Sequence, residues 1–154
     1  MKLPPHTFLA IALLLLPAAL TAQTKVPPDG GVIVWTKGVP PDGIKHRDDF
    51  GNHAISISHR ESNGRVEVHQ TKADVFVIQS GEADLVTGGE IIEPVRTAEN
   101  ELQGSSIRGG VRRHVSAGDV IHIPVGVPHQ FFLAPGTQIT YLVVKIVDPD
   151  HAAR

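Results

Sequence analysis

Two short segments hold residue types that could do chemistry together. In the first, His69 is followed after four residues by Asp74 and after six more by Gly81, with Glu67 two positions before the histidine. In the second, Gly118 is followed at fixed intervals by Pro124, Gly126 and His129. Glu67 and His69 alternate with Val66 and Val68, so on a strand both side chains point to one face. Imidazole nitrogens and carboxylate oxygens around one cation suit Fe(II), Mn(II), Zn(II), Ni(II) or Cu(II) without choosing between them. The other reading is a buried, metal-free polar cluster of the same residues, which must be fully hydrogen-bonded and would itself mark a ligand pocket.

The elements that must position these residues read as short strands. Ala54 to His59 and Arg65 to His69 alternate, and Val75 to Ile78 is a continuous apolar run. Similar runs follow at Ala83–Val86, Val120–Ile123 and Gln138–Val147, separated by turn residues such as Asn63-Gly64, Ser80-Gly81-Glu82 and Ala117-Gly118-Asp119. Period-two alternation with frequent turns predicts an all-β sandwich or barrel, and beyond the first residues no stretch has helical periodicity.

At the two segments together the chain resembles the cupin superfamily. Its first motif runs His-x-His, three or four residues, Glu, six residues, Gly; its second runs Gly, five residues, Pro-x-Gly, two residues, His, three residues, Asn. The second is matched by Gly118, Pro124, Gly126 and His129, with Leu133 in place of the final Asn. In the first, Glu67 takes the first His position, His69 the second, and Asp74 that of Glu. The resemblance covers Ala54 to Val147 and implies a single antiparallel jelly-roll barrel (a double-stranded β-helix), with Glu67, His69, Asp74 and His129 converging on a divalent transition metal. With Glu67 outside the ligand set, His69, Asp74 and His129 make a two-His, one-carboxylate site of the kind used by non-haem iron oxygenases; with Glu67 included, harder ions such as Mn(II) are favoured. Asp74 is one methylene shorter than the expected Glu, a loss of reach of about 1.5 Å.

Three further residues are candidate pocket residues: His122 as a general base or spare ligand, His59 on a strand shared with Ile55 and Ile57, and Phe76, which has the parity of Asp74. Core packing is the plain alternative for Phe76 and Ile78, and a backbone-bonded structural role the alternative for His122. Of Phe131 and Phe132, one is expected inward. Residues 87–114 form a polar, Gly-rich insertion, long for a connection in so small a domain, and read as a surface hairpin or lid. Gly104-Ser105-Ser106-Ile107-Arg108 lacks the second glycine and the strand-to-helix context of a nucleophile elbow.

The 154 residues are 41% hydrophobic, 19% charged and 5% aromatic, with 15 glycines and 12 prolines, which excludes a coiled coil, a collagen and a wholly disordered chain. A net charge of -2 with no basic run beyond Arg112-Arg113 argues against nucleic acid as a partner. Lys2, the apolar run Phe8–Leu16 and the small residues before Gln23 read as a signal peptide over residues 1–22. Pro17 interrupts a run too short for the roughly 20 apolar residues of a membrane span. The expectation is therefore a periplasmic or secreted protein, free of the membrane once cleaved, with no disulfide because it has no cysteine. Residues 23–53 read as an arm and strand in which two Pro-Pro-Asp-Gly turns bracket Val32–Trp35, with a solvated charge cluster at His46–Asp49; residues 148–154 read as a polar tail.

Three functions fit. One is a metal-dependent enzyme (an oxygenase, isomerase or lyase) acting on a small molecule; another is a metal-free barrel that binds a sugar or organic acid without catalysis. The third, which excludes neither, is an interaction protein, with the resemblance implying a homodimer through an outer sheet face.

Overall fold

A computed structural model describes residues 46–152; the expected signal peptide and the Pro-Pro-Asp-Gly arm with Trp35 lie outside the described residues. The described chain is built from strands: β1 (His46–Asp49), β2 (His53–Arg60), β3 (Val66–His69), β4 (Lys72–Thr87), β5 (Glu90–Ile92), β6 (Val95–Ala98), β7 (Glu101–Gly104), β8 (Ser106–Arg108), β9 (Val111–Ser116), β10 (Val120–Ile123), β11 (His129–Phe132) and β12 (Ile139–Val147). A helical turn, α1 (Pro149–Ala152), follows. Two readings change. The charge cluster at His46–Asp49 is not a loop but a strand paired with β2, and the polar tail begins with α1, because Asp148 Oδ1 accepts the Asp150 amide at 2.9 Å.

The strand pairs are antiparallel, and β4 joins the two sheets of the barrel. Its first half pairs with β12 and β10, and its second half with β11 and β9. On one side the order continues from β12 through β2 to β1, on the other from β11 through β3 and β7 to β6. The side chains facing the core along β4 are Asp74, Phe76 and Ile78, then Ala83 and Leu85, so the inward parity changes across the bend. Gly81 makes that bend possible at φ 75°, because a Cβ there would lie 1.9 Å from the Gln138 carbonyl oxygen.

Phe76, Ile78, Leu85, Phe131, Ile139 and Tyr141 dominate the core between the sheets, each 4% exposed or less. Phe131 faces inward, while Phe132 is covered from outside by the Arg112 guanidinium, 4.6 Å from its ring centroid. Residues 87–114 are not a structureless excursion. They contain β5 to β8 and most of β9, with β7 laid along β3.

Candidate metal centre

Three cross-strand pairs build the polar end of the barrel. Antiparallel register sets His129 on β11 opposite Glu67 on β3, Glu101 on β7 opposite His69 on β3, and Lys145 on β12 opposite Asp74 on β4. Directly opposed side chains lie close on one face, and these three pairs meet one another inside the barrel.

Asp74 is the most enclosed of them, 1% exposed. Lys145 Nζ donates to its two carboxylate oxygens at 2.8 and 3.0 Å, and Oδ2 lies 3.2 Å from His69 Nε2 and 3.6 Å from His129 Nε2. Burial alone would raise its pKa, but the His69 and Lys145 hydrogen bonds and charges override it and hold the carboxyl at about 2.

The outward nitrogen of each histidine is tied down. His69 Nδ1–H donates to the Glu101 carboxylate, and His129 Nδ1–H donates to the Val127 carbonyl at 3.1 Å. Both Nε2 atoms therefore face the interior, the orientation that outer hydrogen bonds impose on metal-binding histidines. One ligand atom from each of Glu67, His69 and His129 lies within 4.8 Å of the others.

Burial opposes charge on His69, yet the Asp74 and Glu101 carboxylates outweigh it and lift its pKa to about 9, with Lys145 acting in the other direction. Burial dominates at His129 and pushes its pKa down, whereas Glu101 is held low by His69 against its own burial. Lys145 Nζ also lies 2.6 Å from His69 Nε2. An ammonium and an imidazolium both donate, so one proton serves that contact.

A cavity of about 220 Å³ opens from this corner. Phe76, Phe131 and Tyr141, packed ring against ring, form its aromatic wall, and Ser56, Ser58 and Arg60 of β2 also line it. Arg60 Nε donates to the Tyr141 hydroxyl at 2.6 Å, and its guanidinium passes over Gly64, where a Cβ would stand 3.4 Å from Nη1.

The barrel is similar to solved structures of one kind. A cupin protein from Bacteroides fragilis is 15% identical, with 77% of this chain and 88% of that one covered at a TM-score of 0.51. A conserved protein with a double-stranded β-helix domain from Klebsiella pneumoniae subsp. pneumoniae is 17% identical, with 77% and 91% covered at 0.52. The chain has the cupin fold. No family model and no curated protein matches the sequence.

The cupin barrel brings Glu67, His69, Asp74 and His129 together, but not as four equivalent ligands. Asp74 is engaged by Lys145 and stands outside the Glu67–His69–His129 group. With the Lys145 ammonium on Asp74, the carboxylate grouped with the two histidines is that of Glu67.

Phe76 is both core and cavity wall, its ring 5.9 Å from that of His129. His59 stands at the cavity rim, where Nδ1 meets Thr140 Oγ1 at 2.8 Å. The side chains of β2 that line the cavity floor are Ser56, Ser58 and Arg60, of the parity opposite to His59, Ile55 and Ile57. His122 is not in the cavity. It is exposed on β10 beside Val120 and lines a separate depression with Arg113 and Val127, since Ile121 and Ile123 take the inward parity.

Lys145, Glu101 and Arg60 were not among the candidates. Lys145 carries a readable signal, being of the same parity as the buried Tyr141 and Val143, and a lysine on an inward face demands a partner. Glu101 has none, since its position follows from the pairing of β7 with β3 across 32 residues.

The donor set fits a divalent cation with one rearrangement. His69 Nε2 must give up both its proton and its contact with Lys145 Nζ, since a protonated or hydrogen-bonded nitrogen has no lone pair left for a metal, and Asp74 is placed to keep the displaced ammonium. Among the described residues no buried side-chain nitrogen or oxygen lacks a partner, so the polar end is also satisfied as it stands.

Proposed function

We propose that this cupin barrel binds a divalent transition metal through Glu67, His69 and His129 and acts on a small acidic molecule held in the adjoining cavity. The observation that carries the reading is the triad itself: three donor atoms within 4.8 Å, with both histidines oriented from behind by Glu101 and Val127. When bound, the metal supplies Lewis-acid polarisation or a redox centre at open coordination positions.

The chain's own residues do the rest. Arg60, braced by Tyr141, offers the nitrogens not engaged with the phenol to an anionic group, and a guanidinium recognises a carboxylate as a planar fork. Burial pushes the Tyr141 phenol above its ordinary pKa, so it stays a neutral donor. Phe76 and Phe131 exclude water from the apolar side, and Asp74 and Lys145 hold a proton at Nζ beside the reacting region. Oxygenase, isomerase and lyase chemistry all suit such a site.

Elemental analysis of protein purified without affinity metal or chelator tests the proposal, beside a variant carrying His69→Ala and His129→Ala. The expected result is near-stoichiometric metal in the parent and none in the variant. Absence of metal in both after incubation with Mn(II), Fe(II), Ni(II), Cu(II) or Zn(II) would overturn it. That outcome favours a second reading, supported by the 2.6 Å contact between Lys145 and His69: a metal-free binding barrel in which the Lys145 ammonium takes the place of the cation. Export to the periplasm or exterior belongs to the same proposal, supported by the run Phe8–Leu16. The intact mass of the chain recovered from a bacterial periplasm tests it, with an uncleaved chain as the contrary result.

A further inference from the structure

The chain leaves the barrel core at Gly88 and returns to it at Gly110; between them β7 and β6 extend the sheet outward from β3, and no residue there is buried. Immediately before this arm, Ala83, Leu85 and Val86 are core residues. The arm nevertheless holds itself together. β5 pairs with β8, β6 pairs with β7, and β5 crosses β7 at Gly104, where a Cβ would lie 2.4 Å from Ile91 Cγ1.

Both strands of the arm's stem are interrupted by a glycine pair at the same level. Gly88 and Gly89 stand at φ 77° and 76°, Gly109 and Gly110 at 75° and 85°. Any other residue is strained in that region, while glycine passes into and out of it freely. Four such positions side by side can absorb the backbone rotation of a rigid unit.

Beyond the stem, the arm is attached through the β7–β3 ladder, the hydrogen bond from the Gln70 amide to the Asn100 carbonyl at 2.8 Å, the exposed hydrogen bond from Arg65 Nη1 to Gln103 Oε1 at 3.3 Å, and the Glu101–His69 contact. It walls a second depression, about 280 Å³, whose lining includes Thr97 and Glu101 from the arm and Glu67, His69 and Lys145 from the site. Because Glu67 and Lys145 also line the main cavity, the candidate metal site is approached from two sides.

We propose that residues 88–110 are a hinged cover over this second mouth, and that Glu101 is a positioning residue that couples closure of the cover to His69. The coupling rests on the metal reading of His69. A cation on Nε2 fixes the imidazole ring with Nδ1–H aimed at Glu101, so metal favours the closed arm, and by linkage the closed arm favours metal to the same extent. A unit with no buried side chain is of the kind that opens without unfolding the barrel.

Hydrogen exchange by mass spectrometry on the full chain, with and without Zn(II), tests both parts in the parent, Glu101→Gln and Glu101→Asp. Without metal, the amides of residues 90–108 are expected to exchange as one group, faster than β4 and β12. Zn(II) should slow that group about fivefold or more in the parent, not in Glu101→Gln, and partly in Glu101→Asp. Zinc affinity should fall about tenfold or more in Glu101→Gln, with barrel exchange unchanged.

Exchange of the arm in step with β4 and β12 would overturn the hinge. Equal slowing in Glu101→Gln, or no slowing despite bound zinc, would overturn the coupling alone. No slowing together with no bound zinc overturns the metal reading and the coupling with it, while the metal-free rates still decide the hinge.

Discussion

The barrel and the arm of residues 88–110 are built from the same element, the short antiparallel strand, yet they divide the work differently. The barrel strands bury Phe76, Ile78, Leu85, Phe131 and Tyr141; the arm strands hold side chains that are at most partly buried and contribute one carboxylate, Glu101, to the site. Stability thus resides where apolar area is removed from water, while part of the site's orientation comes from a segment that adds little to that core.

The comparison can be broken at its strongest point first. Asp74→Ala leaves the Lys145 ammonium without its carboxylate in an enclosed site, and unpairing a buried charge costs about 3–5 kcal/mol. Chemical denaturation should show a loss of that size; a loss under about 1 kcal/mol would mean that Lys145 reaches water and the corner is not enclosed. Leu85→Ala, in the barrel core, should cost about 2–5 kcal/mol. If it is tolerated, the core is not where the stability lies.

A third effect separates the regions by pH. His69 has its folded pKa raised to about 9 from 6.5, so its charge stabilises the metal-free fold fully below pH 6.5. That contribution, about 3 kcal/mol, is lost as pH rises through 9. Asp74, held at about 2 against 3.8, contributes above pH 3.8, and its part is lost as pH falls through 2. Urea denaturation of chelator-treated protein should therefore show lower stability at pH 9 than at pH 6. His69→Gln should flatten that alkaline limb; an unchanged limb in the variant would assign the loss to another group. Metal affinity should move the opposite way, rising with pH as His69 loses its competing proton.

The smallest expected effect lies in the arm. Val95 is 63% exposed, and Val95→Ala should change stability by less than about 0.5 kcal/mol. A loss comparable to that of Leu85→Ala would place the arm in the core and erase the distinction between the regions.

Much of the site was legible because cupin barrels are written in local terms. Turn glycines such as Gly118 and Gly126, both at positive φ, and two-residue alternation in Val66–His69 leave direct marks in the sequence. The parity of Phe76 with Asp74 places both on the inner face by the same rule. His59 was less legible, because on β2 the cavity-lining positions are the serines while Ile57, of the opposite parity, is buried as well. A strand enclosed on both faces gives no alternating signal. Lys145 was readable in principle from its parity with Tyr141 and Val143, but an isolated lysine in an apolar strand also fits an exposed edge.

What the amino-acid sequence by itself determined is the all-β architecture and the inward placement of Glu67, His69 and His129, since alternation and turn chemistry act over a few residues. What only the tertiary structure decided is which groups face those donors. Strand register across 32 residues brings Glu101 to His69, and register across 71 residues sets Lys145 against Asp74. No local pattern encodes a partner that distant, because register is settled by the packing of whole sheets. The carboxylate nearest to both histidine nitrogens is therefore held by a lysine in the folded protein, and Glu67 is the carboxylate grouped with the two histidines.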